Sequence, residues 1–126
     1  MNWFVRTLTP LAILSLTTSA ACSRDDDVVA AARANDALVE AVAGSRDAQG
    51  AEQAFAKSKG DVIAKLQDIK DVRGFQVKPE SMNTLTESLL KGVTTVCSLR
   101  LKAIANAEES KKYQAVCDDY TNSIRL

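Results

Sequence analysis

Cys97-Ser-Leu-Arg-Leu-Lys-Ala-Ile-Ala-Asn-Ala-Glu-Glu-Ser-Lys-Lys-Tyr-Gln-Ala-Val-Cys117 sets one cysteine ten residues before Ala107 and another ten residues after it. If Asn106-Ala107-Glu108 turns the chain, the flanking helices fold back antiparallel and the two thiols face each other across a hairpin. An unbroken helix would hold them roughly 30 Å apart at ~1.5 Å per residue. A bridge needs Cα atoms within about 7 Å, so the two pictures exclude each other. On the upstream side, Met82, Leu85, Leu89, Val93, Val96 and Ala103 recur at helical spacing from Glu80 onward. Leu90, Cys97, Leu101 and Ile104 widen that stripe, which predicts a long third helix with Gly92 as a candidate kink. Downstream, Tyr113, Val116, Cys117, Tyr120 and Ile124 place a final helix over about Glu108 to Ile124. Both tyrosines are expected in the core with their hydroxyl ends in water.

Two more helices precede these. Val28, Ala32, Leu38, Val39 and Val42 fall on one face behind the acidic Asp25-Asp26-Asp27, with Gly44 at the stop. A second helix from Ala51 carries Phe55, Val62, Ile63, Leu66 and Ile69, with Gly60 inside it as a candidate bend. Val72 to Pro79 breaks the pattern. Gly74 stops a helix, Phe75 and Val77 alternate with polar residues in the chain's only strand-like signal, and Pro79 suits a first helical turn. Phe75 reads first as a core plug and alternatively as a contact on a recognition loop, so Phe75 and Val77 are the candidate binding residues.

Residues 1–21 have the features of a signal peptide: the amino terminus and Arg6, a short apolar stretch from Leu8 to Leu16, and a small-residue exit from Thr17 to Ala21. The apolar stretch is shorter than the ~20 residues a spanning helix needs. Ser19-Ala20-Ala21-Cys22 resembles the lipobox of bacterial lipoproteins, with Ser19 where that pattern prefers Leu. The resemblance implies cleavage before Cys22, acylation of its thiol and a new amino terminus there, leaving 22–27 as lipidated cysteine and acidic tether. Ser23 in second place implies sorting to the outer membrane rather than the inner. Ordinary signal-peptidase cleavage after Ala21 is the alternative. There are three cysteines. Giving Cys22 to lipid leaves Cys97 and Cys117, an even pair in a compartment where disulfides persist. Structural bridging is the leading expectation over free thiols or a redox pair, since there is no Cys-x-x-Cys. The expected fold is all-α: a small up-and-down four-helix bundle over residues 28–126 with one disulfide linking the last two helices.

The chemistry is narrow. Lys+Arg and Asp+Glu both number 16 in 126 residues, so no net field recruits nucleic acid. Histidine is absent, which removes His-assisted nucleophiles and His-ligated zinc or haem. Ser88-Leu-Leu-Lys91 is similar to the Ser-x-x-Lys of penicillin-recognising enzymes, and Tyr120-Thr-Asn122 to a second motif of theirs, but Lys-Thr-Gly is missing. Ser88 and Lys91 are therefore expected on an exposed polar face of the third helix. Asp118 and Asp119 point apart on a helix, and Asp68 and Asp71 read as surface partners of Lys65 and Arg73. No cofactor, metal or nucleic acid is expected. From Cys22 to Val28 the tether spans at most ~20 Å, so an acylated chain would stay close to its membrane. The expectation is a membrane-anchored periplasmic helical module, without enzymatic activity, that binds an envelope protein or peptide. Its candidate roles are immunity or exclusion and secretion assembly. The alternatives are a structural or lysis-associated, spanin-like envelope lipoprotein, a carrier of an apolar ligand, and an enzyme.

Overall fold

Acidic side chains are favoured where helix N–H groups are exposed, and the chain uses them so. In the computed structural model, which describes residues 23–125, α1 (Asp25–Ala43) opens on Asp25, Asp26 and Asp27 as its first turn. The triplet is thus helix rather than lead-in. The expected leader, and Cys22 with its lipid, lie outside the described residues. The Gly44 N–H returns to the Glu40 carbonyl at 2.9 Å and closes α1. The Asp47 carboxylate accepts from the Gly50 N–H at 2.8 Å, which starts α2 (Ala48–Asp68) three residues ahead of the Ala51 expected. Gly60 does not interrupt α2. Pro79 occupies the first turn of α3 (Pro79–Ser98). Asn106 caps α4 (Ala107–Ser123) by accepting from the Glu109 N–H at 3.1 Å.

The third helix is shorter than its apolar stripe. After Ser98 the chain tightens into a 3₁₀ segment, Leu99–Ala103, before the turn at Asn106. Leu99 stays buried, while Leu101 and Ile104 point out, 61% and 80% exposed. Tighter winding puts i and i+3 on one side, so these two leave the stripe together instead of extending it. Gly92 sits in continuous helix and marks no kink.

Helix directions alternate as in an up-and-down bundle, and the disulfide joins Cys97 of α3 to Cys117 of α4 with Cα atoms 4.7 Å apart. Adjacency does not follow chain order. The extensive packing is of α1 with α2 and α3, and of α4 with α2 and α3. Helices α2 and α3 are diagonal, so the connector between them crosses one end of the bundle and passes the start of α1. The core comes from all four helices, with Val28, Leu38 and Val42 meeting Phe55, Val62, Leu66, Leu85, Val96, Val116 and Tyr120.

Candidate functional site

Besides the exposed Leu101 and Ile104, two places gather polar groups or exposed apolar ones. The first lies inside. Asn35 occupies a position on the apolar face of α1 and is fully buried. Its carbonyl oxygen accepts from the Tyr120 hydroxyl at 2.7 Å, and its amide nitrogen donates to the carbonyl and hydroxyl of Ser88, each at 3.0 Å. The Ser88 hydroxyl donates in turn to the Asp36 carboxylate at 2.6 Å, with the Ala32 carbonyl 3.1 Å away. Burial pushes the Tyr120 hydroxyl above its ordinary value of 10.0, and does the same at Tyr113. Ser88 is therefore not on an exposed polar face, and the Tyr120 hydroxyl is not a wet end. Both belong to a network that fastens α1, α3 and α4 together. The Ser-x-x-Lys spacing leaves Lys91 in the shallow α1–α3 groove, beside Asp36, Glu40, Thr84 and Glu87. The Ser88 proton is already engaged by Asp36.

The second place is the end where the chain enters. The Arg24 N–H donates to the Gln76 carbonyl at 2.9 Å. The Arg24 guanidinium holds the Asp27 carboxylate at 2.6 Å and the Asp68 carbonyl at 2.9 Å. The Lys78 N–H donates to the Asp25 carboxylate at 2.8 Å, and that backbone bond, with support from Ser81 and Ser23, holds the Asp25 carboxyl below its ordinary range. The connector is thereby clamped onto the first residues of α1. Its middle is a 3₁₀ turn, Gly74–Gln76, rather than the strand-like stretch expected. The turn is closed by the Gln76 N–H on the Arg73 carbonyl at 2.9 Å. This winding separates the two candidate binding residues: Phe75 is thrown outward, 83% exposed, while Val77 turns into the core. Phe75 is accordingly not a core plug, and Val77 presents no contact surface. Because α1 starts at Asp25, only Ser23 and Arg24 separate it from Cys22, a reach of about 10 Å rather than the longer tether expected.

Asp68 pairs with Arg24, and Lys65 with Asp61 at 3.1 Å, in place of the Asp68–Lys65 pairing read from the chain. Among the described residues no group of three or more His, Cys, Asp or Glu side chains is placed to hold a metal ion, and no helix is long and apolar enough to cross a membrane. Sequence reasoning missed Asn35. Its signal was present: Asn35 falls four residues after Ala31 and three before Leu38, on the buried face of α1. No family model matches the chain, and no curated protein or solved structure matches it.

Proposed function

We propose that the chain is the precursor of a lipid-anchored envelope protein whose helical bundle works by binding another envelope protein or peptide. The lipobox-like junction at Cys22 supports the anchor, and the disulfide supports an oxidising compartment. The observation that carries the binding role is the exposed pair of Leu101, within the 3₁₀ segment, and Ile104, the residue that follows it. Lys102, between them, donates to the Ala43 carbonyl at the C-terminal end of α1. The 19 residues of α1 set this pair roughly 28 Å from the entry end. An apolar pair at the end remote from the proposed tether suits contact with a partner away from the membrane. Arg46, Asn106 and Glu109 line a groove beside Ile104 and give that patch a polar rim.

The test compares envelope proteins retained by the mature acylated protein and by its Ile104→Asp variant. A protein held by the first and lost from the second, with helical content unchanged, is the expected result. Equal retention by both would refute the assignment of the surface. Turnover of an envelope substrate with no protein retained would refute the binding role.

A further inference from the structure

Phe75 is the most exposed large apolar side chain among the described residues, and it projects from a turn bonded to the backbone two residues after Cys22. Resting on the anchoring reading above, we infer that Phe75 is a second membrane contact, seated in the lipid interface beside the acylated Cys22. An acyl anchor alone leaves a bundle free to swivel on its tether. Here the tether is two residues long, and the connector is locked to its far end by the Arg24–Gln76 and Lys78–Asp25 bonds. Wherever the acyl chains enter lipid, Phe75 is held no farther from the same surface than the ~10 Å reach of that tether allows. An exposed phenylalanine gains apolar burial at the boundary between headgroups and acyl chains. Met82, partly exposed in the first turn of α3, adds apolar area at the same end.

Charge argues for a zwitterionic surface. Lys70, Arg73 and Lys78 are exposed at this end, but Asp68, Asp71 and Glu80 are exposed among them. The end carries no one-signed field, so the contact is apolar rather than a basic patch on anionic lipid. With Phe75 in the interface the bundle axis stands away from the membrane, and Leu101 and Ile104 face the periplasm.

Trp3 is the sole tryptophan in the sequence and belongs to the expected leader, so Phe75→Trp gives the mature protein a single indole probe at an exposed site. The acylated variant is incorporated into phosphatidylcholine vesicles, with Ile104→Trp as the companion. The expected result for Phe75→Trp is a blue-shifted emission, quenched several-fold by acyl-brominated phosphatidylcholine and unmoved by salt, while the emission of Ile104→Trp is unquenched. Flotation of Phe75→Trp with vesicles but an unshifted, unquenched emission would overturn this inference and leave the anchor standing. Quenching in Ile104→Trp instead would overturn it by inverting the bundle. A blue shift in Phe75→Trp that appears only on adding a purified envelope protein would give the surface to that protein. Failure to float overturns the anchoring reading and this one together.

Discussion

Replacing Gly92 by alanine adds a single carbon to a continuous helix, and on helix propensity alone it would stabilise the protein by about 1 kcal/mol. The packing reverses the sign. A Cβ at this position would stand 2.9 Å from Tyr120 Cζ, nearer still to the hydroxyl, and 3.1 Å from Val39 Cγ2. Tyr120 cannot swing aside cheaply: it is fully buried, its ring sits edge-on to Phe55 at 6.4 Å, and its hydroxyl donates to Asn35 at 2.7 Å. Overpacking of this kind costs about 1–3 kcal/mol. Pulling the hydroxyl off a buried acceptor adds about 1–3 kcal/mol. Set against the propensity gain, the net loss is about 3 kcal/mol. Gly60→Ala is the control, since nothing lies within 4 Å of a Cβ there, and it should gain the full ~1 kcal/mol. Urea unfolding followed by far-ultraviolet circular dichroism measures both. Tyr120→Phe in the Gly92→Ala background removes the clashing oxygen and should recover part of the loss. Equal stability of the Gly60 and Gly92 variants would refute the packing of Tyr120 against α3.

Three further outcomes follow from the same contacts. Reducing Cys97–Cys117, which closes a separation of 20 residues, should lower stability by about 3 kcal/mol, seen as an earlier urea midpoint in reductant. Asn35→Ala strands the Tyr120 hydroxyl and should cost about 2–3 kcal/mol, whereas Asn35→Ala with Tyr120→Phe should cost less than the two single losses together. Because burial raises both tyrosines above 10.0, the folded state favours their neutral forms. That stability is present below pH 10 and is lost as pH climbs through the raised values, so phenolate absorbance at about 295 nm should appear late and together with unfolding.

What the sequence made legible was periodic. Helical spacing located four helices, and the symmetric placement of Cys97 and Cys117 about Ala107 favoured the hairpin, now seen as α3 and α4 bridged by the disulfide. Periodicity does not encode which helices are neighbours. The diagonal relation of α2 and α3 depends on how the connector crosses the bundle end, and the Arg24 N–H and the Asp25 carboxylate fix that crossing by hydrogen bonds to the connector backbone that no residue pattern announces. The same limit applies to Phe75 and Val77, where three hydrogen-bonded residues of 3₁₀ turn decide which side chain is buried. At Leu101 and Ile104 the apolar stripe persisted after the α-helix had ended, so hydrophobicity alone pointed inward where the winding points outward. Ser88 read as surface because serine is neutral to periodicity. Its place was set by Asn35, a polar residue standing on an apolar face.

A fatty modification at Cys22 underlies the anchor, and the intact mass of the mature protein isolated from envelopes tests it directly. The mass should equal residues 22–126 with the internal disulfide plus a diacylglyceryl group and an amide-linked acyl chain, and the increment should vanish with Cys22→Ser. An unmodified chain beginning at Cys22, or one cut elsewhere, would contradict the anchor, the short tether and the orientation of Phe75 at once.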